Sequence, residues 1–367
     1  MKRAPRLRNT RKCGFLAAIA AILLLPGCGS TNTPATVVQP QGKLYVAVPF
    51  SPSSSNGAIL RFDNPSMLNG NATPGATIAG PQTQFGILFG SMVLDKTNDR
   101  LYALVSTTSI TGSILVFDHI STKNGNVAPD RVIAGPATQM LGTGALVVDT
   151  SKDVAYTEAG FDASGHVTIM VFRNVSTLNG NVAPSAVLQL DPPGAAAFDL
   201  ALDETGNRLF ALMNNASISV FDNVSTLTSG LMVPNRIIAG ANTGLTAPNH
   251  MALDAAGRLL VSNNAVTPTL ASIVIFANAA TANGNVTPVA TITGNSTGLN
   301  VVGPEAMTVV TGPGSSPSGD LYVNVDLGNV LVFKNIGTAN GNVSPDHLFF
   351  VATNGSANLG LSFDNSR

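Results

Sequence analysis

One unit of about fifty residues, repeated six times, decides what this chain can fold into. An apolar strand ending in Phe recurs as ILRFDN, ILVFDH, IMVFRN, ISVFDN, IVIFAN and VLVFKN. Its phenylalanines, Phe62, Phe117, Phe172, Phe221, Phe276 and Phe333, are spaced by 55, 55, 49, 55 and 57 residues. A proline follows each Phe after 12 residues, or 13 in the fourth copy: Pro74, Pro129, Pro184, Pro234, Pro288 and Pro345. Between Phe and Pro stands Asn-Gly-Asn (Asn69-Gly70-Asn71 in the first copy), replaced in the fourth by Thr228-Ser229-Gly230. Asn-Gly tolerates positive φ at both central positions of a turn, so the motif is expected to close a hairpin between two strands.

The rest of each unit is also strand and turn. Beyond the proline runs a short β-branched strand such as RVIAG (131–135) or RIIAG (236–240). A loop then leads to an apolar strand ending in Asp (SMVLD, ALVVD, LALD, MALD), and a tight turn leads to another such as RLYAL (100–104) or RLFAL (208–212). Each unit therefore offers four strands, and no segment has sustained helical periodicity. The strands lack clean alternation, as expected when small sheets are buried on both faces. Radial repetition of four-stranded sheets is an all-β, six-bladed β-propeller. With strands named A to D outward, the N-terminal repeat begins at strand B (43–48), followed by C (59–62) and D (76–80). The C-terminal end supplies a lone strand A, NLGLSFD (358–364). A composite blade of three N-terminal strands and one C-terminal strand would close the ring over residues 43–367.

The segment before the repeats has a different character. Residues 1–12 carry Lys2, Arg3, Arg6, Arg8, Arg11 and Lys12 and no acid, and an apolar run follows from 15 to 25. This is the pattern of a secretory signal peptide, and the run is about half the length that spans a bilayer. Leu25-Pro26-Gly27-Cys28 resembles the lipobox of bacterial lipoproteins. That resemblance implies cleavage after residue 27, acylation of Cys28 and a membrane anchor, with 28–42 as a flexible tether. An ordinary leader with an incidental Cys is the competing reading. Cys13 lies in the leader, so Cys28 is left as the sole thiol of the processed chain and cannot form an internal disulfide. Processing lowers Lys+Arg from 19 to 13 against 20 acids, a net charge of −7. That charge disfavours electrostatic adhesion to anionic lipid. Gly29 after the Cys implies release to the outer membrane, where the organism has one.

The phrases LDAAGRLLVSNN, SIVIFANAATANGNVTPVATITG and TGLTAPNHMALD resemble the NHL-type six-bladed propellers of exported bacterial proteins. The similarity covers nearly all of 43–364 and speaks to fold rather than activity, because this architecture hosts hydrolases, lyases and binding modules alike. Composition excludes some partners. A formal net charge of −1 and no basic stripe argue against nucleic acid. The absence of Trp removes the usual platform for stacking sugars. A monomer is expected.

In a propeller the A–B and C–D turns share one face, so Asp95, Asp149, Asp203 and Asp254 are expected to cap turns there; a repeated Ca²⁺ site is the sharper alternative. The opposite face carries loops that differ between blades. Aligning each strand A on its terminal Asp, or on Pro248 and Pro304, places six pairs at the tunnel mouth. They are Gly90/Ser91, Gly144/Ala145, Phe198/Asp199, Asn249/His250, Glu305/Ala306 and Leu359/Gly360. Three consecutive blades thus offer Asp199, His250 and Glu305, and the ends of strand B add Glu158, Asn214, Asn264 and Asp326. Carboxylates and amides converging from separate blades suit Ca²⁺ or another divalent cation, or a polar ligand. Side chains that merely line a water-filled tunnel are the plain alternative.

Gluconolactonase-type propellers hold metal with a Glu, an Asp and two Asn, which Glu305, Asp199, Asn249 and Asn264 match by type. Streptogramin lyase-like propellers use a His on this face, for which His250 is the candidate. The four histidines, His119, His166, His250 and His347, have no paired metal-ligand spacing, and no nucleophile elbow or phosphate-cradling Gly loop is present. The preferred expectation is a binding or scaffolding propeller anchored at the cell envelope. A metal-assisted lactonase- or lyase-like enzyme with its site at the tunnel mouth is the alternative.

Overall fold

The computed structural model describes residues 42–49, 57–86, 88–108, 111–140, 144–266, 269–299, 303–312, 315–325, 328–351 and 360–366. The expected leader, its cleavage site and Cys28 lie outside them, as does Asp326. Among the described residues no helix is long and apolar enough to cross a membrane.

Six small antiparallel sheets form the blades of a propeller. The first blade has strands A to D at Gly360–Asp364, Lys43–Val48, Ala58–Asp63 and Ala76–Ala79. The second has Leu88–Asp95, Arg100–Thr108, Thr111–Asp118 and Arg131–Ala134. The third has Leu146–Asp149, Val154–Phe161, Val167–Arg173 and Ala186–Leu190. The fourth has Ala197–Asp203, Arg208–Met213, Ser217–Asp222 and Arg236–Ile238. The fifth has Pro248–Leu253, Leu259–Asn263, Ser272–Phe276 and Ala290–Thr293. The sixth has Pro304–Val310, Asp320–Val325, Asn329–Phe333 and His347–Phe350. Each A strand touches the A strands of the two flanking blades, and the series returns to its start. The ring is closed.

Strands B and C are buried along nearly their whole length, whereas the outer strand D alternates, as in Ala76–Ala79. The reason is that apolar side chains leave both faces of each sheet for its neighbours. The apolar clusters of the described residues each straddle one blade junction: one and two, two and three, and so on round to six and one. No blade owns a core, so stability depends on completing the circle.

Closure uses two devices. Strand A at Gly360–Asp364 pairs with strand B at Lys43–Val48, running from Lys43 opposite Asp364 to Ala47 opposite Gly360. This is the composite blade expected from the sequence. The second device corrects an expectation. The Asn-Gly-Asn motif does not close a C–D hairpin; it clasps strand D of the preceding blade. The C–D connection is long enough to hold a one-turn 3₁₀ helix, such as Ile120–Thr122, before the motif. Gly125 then donates its N–H to Thr77 O (2.7 Å) and accepts from Ala79 N (3.1 Å). Asn124 Oδ1 accepts from Thr77 N (2.9 Å), and Asn126 Oδ1 from Gln82 N (2.8 Å). The same contacts run from blade three to two, five to four and six to five.

Two blades extend the clasp into a fifth strand on the neighbouring sheet. Gly70–Asn71 lies parallel to residues 349–350 and so ties blade one onto blade six. Gly230–Met232 lies parallel to residues 188–190, with Ser229 Oγ accepting Val187 N at 3.0 Å in place of the missing Asn. Covering the outer edges this way removes a ready template for unwanted strand pairing.

The aspartates that end strand A cap their A–B turns, as expected. Asp95 accepts Asn98 N, Asp149 Lys152 N, Asp203 Gly206 N, and Asp254 both Ala256 N and Arg258 N, at 2.7–3.0 Å.

Candidate functional site

Strand A is innermost, so its first residues after the D–A loop form the mouth of the axis. In four blades its pairing with strand B slips at that point, leaving Gly90/Ser91, Phe198, Asn249/His250 and Glu305 outside the ladder. Such bulges re-aim side chains that regular pairing would send between the sheets. The sequence alignment found these residues but held no signal for the bulges.

An axial cavity of about 170 Å³ lies at this mouth, with walls drawn from all six blades. Ser91, Asp199, His250, Ala306 and Gly360 line it together with Met92, Leu146, Leu200, Met251, Met307 and Leu361, whose apolar side chains pack into the blade junctions. The charged side chains are one-sided: Asp199 and His250 of blades four and five line the cavity, while blades one and two bring Gly360 and Ser91. Glu305 of blade six stands outside the lining, beside Ala306, and acts on His250 through its charge.

Asp199 is 7% exposed and joins blades four and five. Its Oδ1 accepts Leu200 N (2.8 Å) and its Oδ2 accepts Met251 N (2.7 Å), an inner-edge amide of the next blade. The same Oδ2 stands 3.3 Å from His250 Nδ1, so the imidazole is held by one nitrogen while the residue lines the cavity. Burial pulls the His250 pKa down, but the hydrogen bond and charge of Asp199 and the charge of Glu305 outweigh it, and the net shift is upward. Asn249 turns its amide to the next blade, where Nδ2 donates to Pro304 O at 3.1 Å.

The strand B candidates sit apart from the cavity lining. Glu158 accepts Gly160 N at 2.6 Å and packs over Gly144, where a side chain would collide with its carboxylate. Burial pushes the Glu158 carboxyl above its ordinary range. Asn264 lies against Gly303, and its Oδ1 is buried without a hydrogen-bond partner. Asn214 donates its backbone N–H to Ala196 O at 2.9 Å. Sequence reasoning overlooked Asn263, which is fully buried and binds Thr246 N, Ala247 N, Gly244 O and Ser272 Oγ. An amide inside the otherwise apolar run LLVSN was the available signal.

Among the described residues, no three His, Cys, Asp or Glu side chains gather as a metal-binding group. Of the lactonase-like set, Asp199 spends both oxygens on backbone amides and Asn249 presents a donor to Pro304. A larger hollow of about 580 Å³ lies at the other end, between the A–B turns of blades four and five. Its carboxylates serve the fold: Asp203 holds Arg208, Asp254 holds Arg258, and Glu204 accepts from Thr150 Oγ1 at 3.2 Å. No family model and no curated protein matches the chain.

Proposed function

We propose that this protein is a binding propeller displayed at the cell envelope, tethered through an acylated Cys28, with its ligand site at the mouth of the axial cavity. The observation that carries the reading is the one-sided mouth. Four bulges bring residues out of the ladder, and Asp199 and His250 line the cavity beside small residues that leave room for a ligand, with Glu305 of the next blade acting on the same imidazole. A cavity of about 170 Å³ with a carboxylate–imidazole pair in its lining suits a small polar group or the end of a longer molecule. The Asp199 carboxylate orients the imidazole but is itself committed to two backbone amides, which favours binding over metal-assisted lactonase- or lyase-like chemistry.

Two experiments test the two halves. Metabolic labelling with an alkyne fatty acid, followed by membrane fractionation, should show label and membrane association lost in Cys28→Ser; unchanged fractionation rejects the anchor. A thermal-shift screen of envelope small molecules should yield hits that His250→Ala and Glu305→Gln remove; hits indifferent to both substitutions reject the mouth.

A further inference from the structure

We infer that Asn69 is the site at which this ring modifies itself with age: its side-chain amide is lost through a cyclic imide with the backbone nitrogen of Gly70, faster than at the matching clasps. The clasps carry Asn-Gly at 69–70, 124–125, 179–180, 283–284 and 340–341. Each of these asparagines is exposed, and each glycine has φ between 67 and 83. Local sequence, exposure and backbone shape are therefore matched, and what differs is the hold on the amide. Asn124 Oδ1 accepts Thr77 N, Asn179 Oδ1 Val132 N, Asn283 Oδ1 Ile237 N and Asn340 Oδ1 Thr291 N, at 2.9–3.1 Å. At the seam between blades one and six, Gly70 and Asn71 pair in parallel with Phe349 and Phe350, and Ala72 N donates to Phe350 O at 3.2 Å. The matching bond, from Leu348 N to Asn69 Oδ1, is not formed among the described residues.

The chemistry needs that freedom. Gly70 has no side chain, so its amide nitrogen can approach Asn69 Cγ. Once solvent has taken the proton of that nitrogen, an N–Cγ bond forms, the Cγ–Nδ2 bond breaks, and Nδ2 departs as ammonia. Water then opens the imide at either carbonyl and leaves an aspartyl or isoaspartyl residue. Cγ reaches the nitrogen only by rotation about Cα–Cβ, which a hydrogen bond from Oδ1 to the neighbouring blade opposes. The same bond polarises the carbonyl toward attack, but only after the rotation that it resists. The isoaspartyl product adds one atom to the main chain directly before Gly70. That displaces the residues paired with Phe349 and Phe350, at the junction where Phe349 packs on Phe62 at 5.6 Å between ring centroids. Ageing therefore acts on the seam that closes the ring.

The test ages full-length protein in a maltoside detergent at mildly alkaline pH, native and in urea. Each clasp peptide is followed by mass spectrometry with fragmentation that separates aspartyl from isoaspartyl products. Native Asn69 should convert roughly fivefold faster than the other clasp asparagines, the factor set by one side-chain hydrogen bond, and all should converge in urea. Asn56 and Asn354 also precede glycine; they lie outside the described residues and are read in separate peptides. Asn69→Ser copies Ser229 of the fourth repeat, so its urea midpoint should hold through ageing while that of wild type falls. Asn124, Asn179, Asn283 or Asn340 converting as fast as Asn69 in the native protein, or no conversion at any clasp, overturns the assignment. A midpoint that falls equally in Asn69→Ser and wild type, or in neither, overturns the effect on the seam.

Discussion

Asn179 Oδ1 accepts the backbone N–H of Val132, one blade back, at 2.9 Å. Gly180, next in the chain, donates to Val132 O at 2.6 Å and accepts from Ala134 N at 3.1 Å. A turn motif has thus become a clasp between sheets, and its glycine sits at φ 83, where a side chain is strained.

Breaking that clasp should cost little through the amide and more through the backbone. Asn179→Ala leaves an exposed N–H to water, a loss of about 1 kcal/mol. Gly180→Val adds left-handed strain, for a loss of roughly 1–3 kcal/mol. Urea denaturation checks both: the midpoint should fall in that order with the slope unchanged. A valine variant as stable as wild type would show that the clasp is incidental.

The ring should fail as a whole when its seam is cut. Phe363 of the C-terminal strand packs on Tyr322 of blade six at 5.2 Å between ring centroids, and Phe62 meets Phe349 across the same junction at 5.6 Å. Phe363→Ala should destabilise by about 3–5 kcal/mol. Deleting residues 360–367 should abolish cooperative unfolding and expose blades one and six to limited proteolysis. A truncated chain that melts in one sharp transition would contradict closure.

The ring, its composite blade and the capping role of Asp95 and Asp254 were legible because each rests on local spacing and turn chemistry. The clasp was not, since Asn-Gly carries the same signature in a hairpin and here acts over more than forty residues. A second signal was available. Gly80, Gly135, Gly240 and Gly294 each face the second Asn of the next copy's motif (Asn126, Asn181, Asn285 and Asn342), where a Cβ would collide with the amide. Strand D of blade three ends at Leu190 with no such glycine, and the copy that follows it has Thr228-Ser229-Gly230 instead of Asn-Gly-Asn. The two features go together at five of the six junctions; at the sixth, Val351 follows strand D of blade six although Asn69-Gly70-Asn71 clasps it. At the mouth, alignment put Asp199, His250 and Glu305 on neighbouring blades, but bulges depend on tertiary contacts and left no trace in composition. Glu158 and Asn264 were grouped with them because position along strand B does not reveal which junction a side chain enters.

Acid should weaken the rim of blades two and four together. Asp118 is held by Arg131 and Arg100, and Asp222 by Arg236 and Arg208. Hydrogen bonding to Arg131 and to Arg236, set against a smaller effect of burial, brings each carboxyl down to about 2. An unfolded Asp titrates near ~3.9, so the contribution is intact above about pH 4 and is lost as pH falls toward 2. Each group is worth about 1–2 kcal/mol. Asp118→Asn with Asp222→Asn should lower stability at pH 7 and flatten the acid limb of urea midpoints between pH 4 and 2; an unchanged limb would discount both clusters.

The two histidines at blade junctions should bend the pH profile in opposite senses. His347 opens strand D of blade six, where burial and then Lys334 depress its pKa, against opposing effects of the Pro65 carbonyl, Asp346 and Asp320. The fold therefore prefers the neutral ring, and that contribution is present above the unfolded value of ~6.5 and lost as pH falls through the folded one. His250 is the reverse: its pKa is raised, so its contribution is full below ~6.5 and disappears as pH rises through the folded value. Ligand-free urea midpoints from pH 5 to 8 separate them. His347→Gln should remove a loss that wild type suffers on the acid side. His250→Gln should cost stability at pH 5.5 and progressively less toward pH 8. Parallel shifts of the two variants across that range would mean that Asp199 and Glu305 do not govern the charge of His250.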